Sequence, residues 1–249
     1  MNRILHGVAR AIAEAFPLPE PIVEIGAYQV DGQRGIADLR GLFPGKMYQG
    51  IDLRPGPGVD RVADIESLPY PNGSVGTIIA MNTLEHVQRY WRGLAEINRV
   101  LSPDGVVLIS CPFYFKIHNY PGDFWRFTPK ALDLLLEDYP TRIVGWHGPR
   151  NRPANVWALA CGHESTLVTP ESFARYRELL AIHAVEPLSR WRKWRYQLAS
   201  QIFGRRPFQP FLEHNRWETT WTTQNQTAEL QHENPTSRSA SPTGTAESY

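Results

Sequence analysis

The chain has 249 residues, 42% hydrophobic and 20% charged, with a net charge of +1. That is ordinary globular material, enough for one large domain with appendages, and a charge so near zero gives no bulk attraction to nucleic acid or to an anionic surface. No apolar run approaches the roughly 18 residues of a membrane helix, and residues 1–16 lack a clean signal-peptide core and cleavage site, so the expected location is cytoplasmic.

Residues 2–16 read as an amphipathic helix, with Ile4, Leu5, Val8, Ile12 and Phe16 on one side and Pro17 and Pro19 stopping it. Apolar runs at 22–26, 47–53, 76–81 and 105–111 then alternate with helical patterns at 33–42, 86–101 and 128–138. The last of these opens on Thr128-Pro129, an N-cap with proline at the first helical position. Near-continuous apolar strands between helices point to a parallel sheet covered on both faces. Two further runs, 141–147 and 155–161, are joined by a link too short for a crossover helix, so they should form an antiparallel hairpin. The expected fold is α/β, a Rossmann-like doubly wound, mostly parallel sheet with a C-terminal antiparallel hairpin. The expected organisation is a domain over 1–165, a helical, basic and aromatic extension over 166–221, and a disordered polar tail over 222–249. Cys111 and Cys161 sit inside apolar runs and read as buried thiols; two cysteines alone make no structural zinc site, and no metal is expected. Asn72-Gly73-Ser74 and Asn225-Gln226-Thr227 match the glycosylation pattern but read as chance.

The first strand, Ile22-Val23-Glu24-Ile25-Gly26-Ala27-Tyr28, ends on one glycine and lacks the others of a dinucleotide fingerprint. A pyrophosphate wants that glycine-rich turn, so a nicotinamide oxidoreductase is disfavoured. A nucleoside ligand without phosphates needs only one close approach of backbone, which Gly26 offers, and a carboxylate near a cation, which Glu24 offers. Asp52 ends the second apolar run, where an acid accepts hydrogen bonds from ribose hydroxyls. Asp64 ends a short following strand and could meet an adenine amino group.

These residues, with Ile78–Val87 (IIAMNTLEHV) and Glu96–Ser110 (EINRVLSPDGVVLIS), resemble class I S-adenosylmethionine-dependent methyltransferases over residues 22 to about 138. The departure from the family pattern is Tyr28, where a second glycine is usual. The resemblance implies S-adenosyl-L-methionine as cofactor, held by Glu24, Gly26, Asp52 with Leu53, Asp64 with Ile65, Asn82 and Leu84. It implies methyl transfer to a small-molecule, glycan or lipid-linked acceptor. The alternative is a methyltransferase-like binding or scaffold protein without turnover. Nucleic acid is not an expected partner, because no Asn/Asp-Pro-Pro-Tyr-like stretch is present.

The acceptor side should come from the loops after the fourth and fifth strands. His86 lies in the first. The second, 111–129, mixes seven aromatics with His118, Asp123 and Arg126 and suits an aromatic lid with a few polar groups pointing inward. His86, His118 and Asp123 are the candidate catalytic bases. Asp123 could instead pair with Arg126 three residues on. Tyr114, Trp125 and Arg126 are candidate acceptor contacts, Arg126 as a clamp for an anion. Residues 187–208 can be drawn as a helix with Leu188, Trp191, Trp194, Leu198 and Ile202 in one arc and Arg190, Lys193 and Gln197 opposite. Such a helix can lie on an anionic membrane as a peripheral contact, pack on the domain, or form a homodimer.

Overall fold

The structure, a computed structural model, describes residues 2–32, 34–118, 122–186, 189–204 and 207–223. Helix α1 (Arg3–Ala15) starts where the Asn2 side chain accepts the Leu5 N–H. The strands are β1 (Ile22–Ile25), β2 (Tyr48–Asp52), β3 (Arg61–Val62), β4 (Val75–Met81), β5 (Leu101–Pro112), β6 (Thr141–His147), β7 (Asn155–Cys161) and β8 (Trp217–Thr223). They form one sheet in the order β3-β2-β1-β4-β5-β7-β6-β8. The pairs from β3 to β5 are parallel, and those joining β5, β7, β6 and β8 are antiparallel. The expected doubly wound sheet and terminal hairpin are both present. All seven residues of β4 and of β7 are buried, as strands covered on both faces must be.

One face carries α1 and α5 (Pro170–His183), the other α3 (Tyr90–Val100) and α4 (Pro129–Leu135). Ile4, Leu5, Val8 and Ile12 of α1 join Leu179 and Leu180 of α5 and Trp157 of β7 in one apolar core. Leu94, Ile97, Val100 and Leu132 join Val23, Ile78 and Val107 in the other. Gly7 is where α1 meets α5: a Cβ there would lie 2.1 Å from the His183 carbonyl oxygen. Thr128 caps α4, with Pro129 leading it, as the sequence predicts.

Four expectations are corrected. The helix over 33–42 is only α2 (Arg34–Ala37) and a separate 3₁₀ turn at Arg40–Leu42. Gly35 and Gly41 weaken the helix, and the Asp38 side chain takes the Arg40 N–H that a helix would have used. The helix over 86–101 begins only at Tyr90; His86 sits in a 3₁₀ turn, Leu84–His86, and the Val87 carbonyl accepts the Trp125 indole N–H instead of continuing the helix. The stretch 166–221 is not wholly helical: α5 packs into the main core, and β8 joins the sheet edge beside β6. Thr222 and Thr223, read as the start of a disordered tail, are in β8; the rest of that tail lies outside the described residues.

His147, at the end of β6, is 4% exposed, and burial pushes its imidazole down to about 4, with His214 adding repulsion. A histidine lowered by folding contributes stability above its unfolded value near pH ~6.5. That contribution is lost as pH falls toward 4, because the unfolded chain takes up the proton first. The span is worth about 3 kcal/mol. Denaturant melts at pH 7 and 4 should show the parent losing that much more than His147→Asn; equal losses would remove His147 from the account.

Candidate functional site

The parallel pairing of β1 to β5 brings their carboxyl ends to one edge of the sheet, and the sequence-predicted residues gather there. Gly26 follows β1 with φ +82°, and its N–H donates to the Ile51 carbonyl at 2.9 Å. A Cβ at Gly26 would lie 2.4 Å from Thr83 Oγ1, which itself donates to the Ile25 carbonyl. Both the left-handed backbone and the chain's own Thr83 therefore require glycine there. Glu24 is buried; Tyr48 donates its hydroxyl to Glu24 Oε2 at 2.6 Å, and burial pushes the Glu24 carboxyl up to about 7.

Asp52 closes β2 with its side chain 13% exposed. Its Oδ2 accepts the Tyr28 N–H at 3.3 Å and its Oδ1 the Arg54 N–H at 3.1 Å, so both flanking loops hold it. The Arg54 guanidinium stacks 4.3 Å above the Tyr28 ring, and Gly56 is where that ring passes: a Cβ there would meet it at 2.3 Å. The residue that departs from the family pattern is thus folded onto the next loop. Leu53 is exposed. Asp64 makes a tight turn, its Oδ1 accepting the Glu66 N–H, while Ile65 is buried against Gly93 of α3. Asn82, after β4, is left-handed at φ 55°, its N–H donating to the Ser110 carbonyl and its Oδ1 accepting the Ser110 hydroxyl. Strained positions of this kind cluster at functional sites. Leu84 is fully buried.

The loops after β4 and β5 meet in a second cluster. The Phe124 N–H donates to the Glu85 carbonyl. His86 Nδ1 donates to the Gly122 carbonyl, and its ring stands 4.9 Å from that of His118, edge to face. His118 Nδ1 donates to Asp123 Oδ2 at 3.0 Å, and the His118 backbone N–H reaches the same oxygen. Because a carbonyl and a carboxylate can only accept, each ring carries its proton on Nδ1 and presents the Nε2 lone pair when neutral. Burial pushes the His86 imidazole down. The Asp123 side chain is 1% exposed and bonded at both oxygens by Arg126; that guanidinium holds its carboxyl well below the usual carboxylate range.

Sequence reading missed Glu85. Its side chain is 0% exposed, neither carboxylate oxygen has a hydrogen-bond partner among the described residues, and burial pushes it up to about 8. The expected lid divides in two. Phe127 and Trp125 turn inward, Trp125 against Tyr90 and Trp91; Tyr114, Phe115 and Phe124 are exposed, and Tyr120 lies outside the described residues. Tyr114 lies under Arg152, whose guanidinium is 4.7 Å from its ring centre.

A methyltransferase-domain family profile matches residues 49–109, which run from β2 into β5. Solved structures of S-adenosylmethionine-dependent methyltransferases share the fold. One from Archaeoglobus fulgidus is 13% identical with a TM-score of 0.51 and covers 64% of this chain and 93% of that one. A Mesorhizobium loti enzyme is 16% identical with a TM-score of 0.46 and covers 61% and 95%. The Burkholderia thailandensis 1,6-didemethyltoxoflavin-N1-methyltransferase, solved with 1,6-didemethyltoxoflavin and S-adenosylhomocysteine, is 19% identical with a TM-score of 0.48 and covers 64% and 78%. No curated protein matches the chain. The architecture is that of class I S-adenosylmethionine-dependent methyltransferases.

Proposed function

We propose that this protein is an S-adenosylmethionine-dependent methyltransferase acting on a small-molecule, glycan or lipid-linked acceptor. The observation that carries the reading is Asp52, held by two backbone N–H groups at the tip of β2, beside the left-handed Gly26 and Asn82 at the tips of β1 and β4. Open α/β sheets take their ligands at this edge. The residues fit the cofactor. Asp52 is oriented and partly exposed, and its oxygens retain lone pairs for a ribose diol. Glu24, Gly26 and Leu53 would complete that side, Asp64 and Ile65 the adenine side, and Asn82 and Leu84 the methionine side. Bound there, S-adenosylmethionine supplies an activated methyl group.

The chain's own work is to align the acceptor and take its proton where it has one. His86 and His118 present Nε2 for that task. Asp123 is fully engaged, so we assign it to positioning His118; Arg126, spent on Asp123, positions it in turn rather than clamping an anion. Trp125 is a wall of the acceptor side and Tyr114 belongs to its outer rim. A non-catalytic binding protein is the second reading, favoured by the Tyr28–Arg54 stack where the family has glycine.

Calorimetry with S-adenosylhomocysteine tests the first claim: we expect binding that Asp52→Ala weakens at least ~10-fold, the loss of about one charge-assisted hydrogen bond. Absence of binding removes the cofactor site. A labelled-methyl screen over extracted metabolites, lipids and glycans then separates the readings, since binding without transfer to any fraction favours the second.

Helix α6 (Arg190–Phe203) buries none of its residues, and Trp191, Trp194, Leu198 and Ile202 are all exposed; Leu188 lies outside the described residues. Arg190, Arg192 and Lys193 stand among them, which supports peripheral contact with an anionic membrane over packing on the domain. Chain and anionic vesicles should co-float at low salt, less so in Trp191→Ala/Trp194→Ala; a chain that stays in solution and sediments as a dimer would assign the helix to subunit contact instead.

A further inference from the structure

The acceptor-side cluster has an unmet requirement. Glu85 buries a carboxylate with no hydrogen-bond partner among the described residues; the nearest imidazole nitrogen, His86 Nε2, is 3.9 Å away. An isolated buried carboxylate is costly and is ordinarily paired or coordinated to a metal. Arg126, the neighbouring cation, is already bidentate on Asp123. What faces Glu85 is a pair of imidazoles whose Nδ1 protons are both given away, one to the Gly122 carbonyl and one to Asp123. That is the outer-shell arrangement by which proteins aim Nε2 lone pairs at a metal. One ligand atom from each of Glu85, His86 and His118 lies within 4.8 Å of the others. In a tetrahedral site with bonds of about 2.0–2.2 Å, ligand atoms stand about 3.3 Å apart. Small rotations of two rings and a carboxylate would close that difference.

We propose that Glu85, His86 and His118 bind a divalent first-row transition-metal ion of the Zn²⁺ class. Two imidazoles and one carboxylate are the donor set of open catalytic sites, which keep a position for water or substrate. Mg²⁺ and Ca²⁺ ask for oxygen ligands and suit it poorly. The site itself is independent of the methyl-transfer reading; its consequence rests on that reading. If acceptors approach here, the ion occupies the two lone pairs and acts as a Lewis acid on an acceptor oxygen in place of a histidine base.

The test uses the full chain, stripped with a chelator and titrated with Co²⁺ and then Zn²⁺, with neither cofactor nor acceptor present. We expect one Co²⁺ per chain, with a visible absorption band of four- or five-coordinate intensity that Zn²⁺ abolishes. Glu85→Gln and His118→Ala should each weaken binding more than ~10-fold, and Asp123→Asn by ~10–100-fold as an outer-shell change. His163→Ala, remote in the fold, should bind as the parent does, and circular dichroism verifies that each variant folds. The proposal is overturned by substoichiometric binding, by a purely six-coordinate spectrum, or by unchanged affinity in Glu85→Gln. Failure here leaves the cofactor reading standing, and failure of S-adenosylhomocysteine to bind leaves the metal result standing.

Discussion

Glu85→Leu, kept metal-free by a chelator, is expected to be more stable than the parent at pH 7.5 by about 2 kcal/mol, a rise in Tm of roughly 4–8 °C for a chain of this length. Leucine is no smaller than glutamate, so no cavity opens, and a buried carboxyl group without hydrogen-bond partners gives way to an apolar group. The same variant should transfer methyl groups at least ~100-fold more slowly, because the proposed acceptor side loses the carboxyl group that its histidines face. A gain in stability with a loss of activity is the mark of a residue kept for chemistry at the expense of folding. An unchanged or lower Tm would mean that Glu85 has a stabilising partner.

The second large effect concerns His118. With an acceptor in hand, His118→Ala should lower kcat at least ~100-fold, whether the imidazole is itself the base or holds the ion that replaces it. Asp123→Asn should approach it, since an amide no longer fixes which ring nitrogen carries the proton. Affinity for S-adenosylhomocysteine should be unchanged in both, as neither residue belongs to the groups around Asp52. A structural role alone would lower Tm and cofactor affinity together and leave kcat near the parent value. Near-parent kcat in both variants would remove His118 from the reaction.

Much of the fold, and with it the sheet edge where Gly26, Asp52 and Asn82 lie at the strand ends, is legible in the sequence, because parallel strands buried on both faces must read as apolar runs. The link between 147 and 155 leaves room only for an antiparallel turn. Thr128-Pro129 announces a helix from side-chain chemistry within four residues. The residues at the strand ends follow from the same alternation. What escapes a sequence reading is long-range. Glu85, within Thr83-Leu84-Glu85-His86, looks like an exposed first turn; its side chain is buried, and its carbonyl accepts the Phe124 N–H from nearly forty positions later. Tyr28 looks like a lost glycine, and only the approach of Arg54 and Gly56 gives its ring a place. The strand at 217–223 does carry a local signal, Trp217, Thr219, Trp221 and Thr223 alternating at period two, masked by the polar residues beyond it.

That strand changes where the chain can be cut. A truncation after residue 165 would take away α5, whose Tyr176, Leu179 and Leu180 are buried, and β8, the outermost partner of β6. The remnant would present an uncovered hydrophobic face on α1 and a raw row of backbone donors and acceptors along β6, a template for fibrous or amorphous self-association. Shortened versions made for crystallisation should therefore keep the chain through Thr223 and excise, if anything, only the excursion between α5 and β8.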